Sequence, residues 1–164
     1  MSPLGDEAFE RLYAEHAQAL YAFLSYRTGN RVLAEDLLAD TFERALRARQ
    51  RFDRRRASEK TWLYAIALNL VRDQIRRRSS EARAIERVAV GTGGESAGGI
   101  DDVADRDLVS RGLSCLSEEE REVIALRFGA DLTVPQIAKL TRERLTTVEG
   151  RVYRALRKLR DAID

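Results

Sequence analysis

The sequence predicts an all-α protein of two small helical domains joined by a flexible linker, the second a helix-turn-helix. Three observations carry this. Ala, Leu, Arg and Glu dominate a 164-residue chain with only two prolines and 7% aromatic residues, a composition that suits helices and excludes an all-β sandwich. Apolar residues recur at helical spacing in separate blocks. Between the blocks, Gly91–Gly99 gathers five of the chain's ten glycines into nine residues.

The first block holds three helices, in a domain spanning residues 1–78. Phe9, Leu12, Tyr13, Leu20, Phe23 and Leu24 mark one apolar face, and Thr28-Gly29-Asn30 is a turn signal that ends it. A second run, Val32 to about Phe52, places Leu33, Leu37, Thr41 and Ala45 on one stripe and Asp36, Asp40 and Glu43 on another. After the polar tract Asp53–Glu59, a third helix is expected from about Ser58 to Arg78. Ser58 is its N-cap, and Leu63, Ile66, Ala67, Leu70 and Ile75 point inward.

Residues 79–107 form the linker, acidic as well as glycine-rich, with too few apolar residues to fold alone. The second domain, residues 108–164, opens with a short helix over Leu108–Leu116. Ser117 followed by three glutamates reads as an N-cap with acids complementing the helix dipole, and that helix ends at Gly129. Thr133 or Val134 starts a short helix with Pro135 in its first turn. A last helix from about Thr146 to Ile163 repeats Val148, Val152, Ala155, Leu156, Leu159 and Ile163. A short helix, a turn and a longer basic helix compose a helix-turn-helix.

The net charge is only +2, but it is unevenly spread: residues 47–78 carry eleven Lys/Arg against three acids, and residues 142–160 carry seven against two. Both basic blocks suit a phosphate backbone, because each cation that neutralises a phosphate releases condensed counterions. Arg151, Arg154 and Lys158 fall on one face of the last helix. A lone basic helix is more often a solvated surface, and the short helix before it tips the balance toward DNA. Trp62 heads a helix whose far end is Arg76-Arg-Arg78, so an aromatic face and a row of cations share one element. Taken alone, Trp62 reads as core rather than base-stacking.

With one cysteine and one histidine, an internal disulfide and a Cys/His zinc site are excluded by count. Cys115, beside Leu113 and Leu116, is read as a small core residue and His16 as structural. No nucleophile–base pair, metal cluster or phosphate loop is visible, so neither catalysis nor a cofactor is expected. No apolar run nears the roughly 18 residues of a membrane span and no leader is evident, so a cytoplasmic protein is expected.

Thr61-Trp-Leu-Tyr-Ala-Ile-Ala-Leu-Asn-Leu-Val-Arg-Asp-Gln-Ile-Arg76 resembles the Trp-Leu-x-x-Ile-Ala-x-Asn-x-x-x-Asp-x-x-Arg signature of the extracytoplasmic-function (ECF) class of bacterial RNA polymerase sigma factors. Ala34-Glu-Asp-Leu-Leu-Ala-Asp-Thr-Phe42 is similar to that class's polymerase-binding helix, with Ala39 where a Gln is common. Leu116–Arg127, Ile137-Ala138 and Thr147-Val-Glu-Gly-Arg-Val-Tyr-Arg-Ala-Leu-Arg157 resemble its C-terminal region. The similarity spans about residues 8–78 and 108–162.

The resemblance implies a sigma factor that binds core RNA polymerase through Glu35, Asp36, Asp40 and Glu43. It implies contact with the minus-ten element through Arg55, Arg56, Lys60, Trp62, Asn69, Asp73, Arg76 and Arg77. For the minus-thirty-five element it implies Arg142, Arg144, Thr146, Thr147, Glu149, Arg151, Arg154 and Lys158. Core polymerase, promoter DNA and an anti-sigma protein are the implied partners. The chain departs from the class where Gly and Ser are common, at Arg142 and Arg144, and at Glu149, where Lys or Arg is usual. Two other readings remain: a helix-turn-helix regulator using the C-terminal domain alone, and a polymerase-binding adaptor without promoter recognition.

Overall fold

A computed structural model describes residues 3–86 and 111–164, which fall into two compact units.

In the first unit, α1 (Asp6–Thr28) and α2 (Arg31–Ala48) form a tight helical hairpin. Gly29 stops α1 in the left-handed conformation, φ 64°, a region open to glycine at little cost, and its N–H donates to the Ser25 carbonyl at 2.9 Å. Asn30 then caps α2, its side chain accepting from the Leu33 N–H at 3.1 Å. The second helix is shorter than its apolar pattern suggests. It tightens into a 3₁₀ turn at Arg49–Arg51, after which Phe52 is extended and buried. Arg49 also holds the N-terminal segment, accepting from the Leu4 N–H through its carbonyl at 3.1 Å and pairing with Asp6 through its side chain.

The third helix, α3 (Glu59–Glu86), packs against both others. Ser58 Oγ accepts from the Thr61 N–H at 3.1 Å, as an N-cap should. Because α3 lies against two partners, its buried face is wider than one stripe. Leu63, Ala67 and Leu70 are buried as expected, Tyr64, Leu68 and Val71 join them, and Ile66 and Ile75 stay half-buried. Phe23 and Tyr64 meet edge to face, 5.5 Å between centroids.

The predicted end of this helix at Arg78 is corrected: the helix continues through residues 79–86, taking in the start of the predicted linker. Those eight residues are exposed and so leave no inward-facing pattern to read. The remainder of the predicted linker, 87–107, and residues 108–110 of the short helix lie outside the described residues.

In the second unit, residues 111–114 are helical and Cys115 follows in a turn. Cys115 is exposed rather than core, its thiol donating to the Gly112 carbonyl at 2.8 Å. Helix α4 (Glu118–Ile124) carries a full capping box between Ser117 and Glu120. It widens into a π turn over Ala125–Gly129, and Leu132 N–H closes back on the Leu126 carbonyl at 3.1 Å. The helical stretch ends at Gly129, and Asp131 beyond it takes the left-handed conformation, φ 53°. Helix α5 (Val134–Thr141) has a second capping box, Thr133 with Gln136, and Pro135 in its first turn. Arg142, φ 58°, ends it, and α6 (Leu145–Ile163) follows. Leu116, Val123, Leu126, Leu132, Ile137, Val148, Val152 and Ala155 make this unit's core.

Candidate nucleic-acid interface

Two exposed faces of the first unit carry the expected site residues. On α2, burial of Ala34, Leu37, Thr41 and Ala45 turns Glu35, Asp36, Asp40 and Glu43 outward. Glu43 pairs with Arg47 one turn on, at 2.6 Å, while Glu35, Asp36 and Asp40 have no ion-pair partner among the described residues. Interleaved with these acids stand Val32, 70% exposed, Ala39 and Leu46. The face therefore mixes carboxylates with apolar side chains left exposed.

Asp53 shapes the loop before α3 by accepting the Arg55 N–H on its side chain and the Arg56 N–H on its carbonyl, both at 3.0 Å. Arg54 bridges to Glu59 at 2.9 Å, leaving Arg55 and Arg56 projecting into solvent. Trp62 is half-buried, with one part of its ring on Phe52, centroids 4.9 Å apart, and the rest open. Neither a pure core role nor a freely displayed ring describes it.

Spacing puts Trp62, Asn69, Asp73 and Arg76 on one stripe of α3, about 21 Å long at 1.5 Å per residue. Asn69, Asp73, Arg76 and Arg77 are exposed, and Arg76 pairs with Asp73. Lys60 is half-buried near His16, whose imidazole burial holds below its ordinary pKa. Arg78 donates to the Thr28 carbonyl at 2.8 Å and so anchors α3 rather than facing a ligand.

In the second unit, two of the three cations on the shared face of α6 are paired with acids of the same unit. Arg151 is tied to Glu143 by two hydrogen bonds of 2.8 and 2.7 Å, with side chains only 18% and 25% exposed. Hydrogen bonding to Glu143 holds that guanidinium above its ordinary pKa. Lys158 donates to Glu120 at 2.9 Å. That bond, then the Ser117 N–H, hold the buried Glu120 carboxyl below its ordinary value. Two of the three cations are thus committed inside the unit. Arg142, Arg144, Arg154 and Arg157 are exposed, as are Thr146, Thr147 and Glu149.

One exposed side chain escaped the sequence reading. Tyr153, 69% exposed, stands four residues after Glu149 on the same face of α6. The missed signal was the spacing of an aromatic from the polar residues of the helix start, on the side opposite Val148 and Val152.

Family comparison matches residues 12–81 to sigma-70 region 2 and residues 106–159 to sigma-70 region 4. The chain is 31% identical to the ECF RNA polymerase sigma factor BldN of Streptomyces coelicolor, covering 93% of this chain and 59% of that one. Identity is also 31% with the ECF sigma factor SigX of Bacillus subtilis, covering 94% and 83%. Among solved structures, it resembles the sigma factor RpoE in complex with the anti-sigma factor NepR from Bartonella quintana. The TM-score is 0.76 at 26% identity, over 96% of this chain and 97% of that one.

Proposed function

This chain belongs to the ECF RNA polymerase sigma factors, and from that membership we propose that it docks on core polymerase through α2 and reads promoter DNA through α3 and α6. The carrying observation is that both sigma regions are present in order, each on its own folded unit. Membership assigns no catalytic chemistry to the chain; its work is recognition.

Glu35, Asp36, Asp40 and Glu43 supply the charged rim of the polymerase contact, with Val32 and Leu46 as its apolar part. At the minus-ten element, Arg55, Arg56, Lys60 and Arg77 hold phosphates of the separating strands. The open part of Trp62 offers a surface to an unstacked base, and Asn69, Asp73 and Arg76 continue the contact along α3. Unstacking costs a few kcal/mol per step, which stacking at about 1–3 kcal/mol per base and phosphate contacts offset. At the minus-thirty-five element, α6 enters the major groove with Thr146, Thr147 and Glu149 toward the bases. Arg142, Arg144 and Arg154 face the backbone, while Arg151 and Lys158 brace the helix through Glu143 and Glu120.

RpoE is held by an anti-sigma factor, and an anti-sigma protein that covers the polymerase-binding face is proposed for this chain too. No helix among the described residues is long and apolar enough to cross a membrane, and a cytoplasmic location is part of the same proposal.

In vitro transcription with core polymerase on a library of promoter-like DNA tests the reading. Discrete starts that require the protein and share upstream elements are expected. Association with core polymerase without such starts would favour an adaptor, and no association would overturn both.

A further inference from the structure

The first two turns of α6, residues 145–152, contain two charged side chains, Glu149 and Arg151. Arg151 is held by Glu143, so Glu149 is the one that faces outward at the reading end of the helix. Val148, Val152 and Ala155 fix the rotation of α6 by burying one face, and Glu149 lies on the exposed remainder beside it. Thr146, one turn before Glu149, is short, and Gly150 has no side chain. A β-carbon at Gly150 would come within 3.2 Å of an Arg154 guanidinium nitrogen. Arg154 therefore folds back along the helix over Gly150. Arg142 and Arg144, exposed in the turn before α6, supply positive charge that lessens the repulsion between a carboxylate and the phosphates flanking a groove.

We infer that Glu149 is a specificity-determining residue that selects cytosine at one position of the upstream element. An ionised carboxylate only accepts hydrogen bonds. In the major groove cytosine presents an N4 amino donor, guanine presents the N7 and O6 acceptors, thymine presents the O4 acceptor, and adenine sets its N7 acceptor beside its amino group. Cytosine alone meets the carboxylate with a donor and no acceptor of its own. This assignment deepens the proposed function and rests on α6 lying in the major groove.

Run-off transcription with core polymerase and the full chain, on promoters randomised through the upstream element, tests it with wild type, Glu149→Gln and Glu149→Ala. Because Glu149 is exposed, melting followed by circular dichroism should match wild type for both variants. Wild type is expected to favour cytosine at one position by roughly five- to hundredfold over other bases. Glu149→Gln should move that position to adenine, which a carboxamide pairs bidentately, and Glu149→Ala should erase the preference there alone. If protein-dependent starts appear and Glu149→Ala keeps the same base preference at every position, this inference is overturned while the sigma-factor reading stands. Starts with no upstream preference in wild type overturn it likewise. Absence of any protein-dependent start removes the sigma-factor reading itself, and this inference with it.

Discussion

Arg151 and Glu143 close a two-pronged ion pair between α6 and the turn before it, at 2.8 and 2.7 Å, with both side chains largely shielded from water. A bidentate guanidinium–carboxylate pair fixes direction as well as distance. Here it ties the start of α6 to a turn whose Arg142 holds a left-handed conformation.

Arg151→Ala is expected to destabilise the second unit by about 1–3 kcal/mol, since the part-buried Glu143 would lose both hydrogen bonds that Arg151 donates to it. That corresponds to a loss on the order of 4–8 °C in Tm per kcal/mol for a unit of this size. The exchange Glu143→Arg with Arg151→Glu should recover part of the loss and part of promoter use. If Arg151 instead served mainly as a phosphate contact, the exchange would recover stability but no transcription.

The Glu120–Lys158 bond gives the second unit a pH dependence whose sign follows from its geometry. Hydrogen bonds from Lys158 and then from the Ser117 N–H hold the folded carboxyl below its unfolded value. The stabilisation is therefore complete above the ordinary carboxylate range and is lost as pH falls through the lowered folded value. Thermal melting from pH 7 down to pH 3 should show this decline. Glu120→Gln should melt lower at pH 7 and decline less on acidification; an equal slope in both proteins would contradict the assignment.

Tyr64 is fully buried against Phe23, and its hydroxyl has no hydrogen-bond partner among the described residues. Burial pushes its pKa up to about 12. Tyr64→Phe removes an unpaired polar group at constant shape, and an increase in stability of about 1 kcal/mol is expected. Alkaline melting supplies a second check. The unfolded chain loses the phenolic proton near the ordinary pKa of about 10, while the folded chain keeps it. Wild-type stability should therefore fall as pH rises between those values, and the phenylalanine variant should lose that part of the fall.

Polymerase binding should depend on charge at α2. Asp36→Arg with Asp40→Arg reverses two exposed carboxylates that have no ion-pair partner among the described residues, so the fold should tolerate the change within about 0.5 kcal/mol. Association with core polymerase, followed by co-purification or fluorescence anisotropy, should fall at least tenfold. Undiminished association in a folded double variant would exclude this face as the contact.

What could be read from sequence followed the range of the interaction. Ser58 and Ser117 were legible because a capping oxygen acts on an N–H three residues ahead. The acids of α2 were legible because one apolar stripe settles which way the helix turns. Interactions that depend on the assembled unit were not. Glu120 lies 38 residues before Lys158, so nothing near Lys158 in the chain shows that its charge is engaged. Arg151 found its carboxylate across a turn whose geometry no spacing reveals. Cys115 lies between Leu113 and Leu116, yet the helical residues end at 114 and it turns outward. Residues 79–86 extend a helix without burying any of its sides, which removes the periodic signal that reports helices.

Trp62 gives the most demanding prediction, because its ring both rests on Phe52 and reaches solvent. Trp62→Ala takes away packing over the buried Phe52, so some loss of stability is expected, and reduced transcription alone would not separate a structural role from base capture. A premelted template separates them. When the minus-ten segment is supplied already unpaired, the cost of unstacking has been met in advance, and a variant that lacks only the ability to capture a base should recover most of its activity. A variant whose unit has lost its shape should be impaired on both templates, because the proposed polymerase contact through α2 is lost with it. Trp62→Ala is therefore expected to lose about 10–100-fold in transcription from duplex promoters, in line with one aromatic–base contact of about 1–3 kcal/mol, and to regain most of it on the premelted template. Trp62→Phe, which keeps an aromatic face toward Phe52, should fall between. Equal impairment of Trp62→Ala on the two templates, with polymerase association intact, would remove Trp62 from promoter opening.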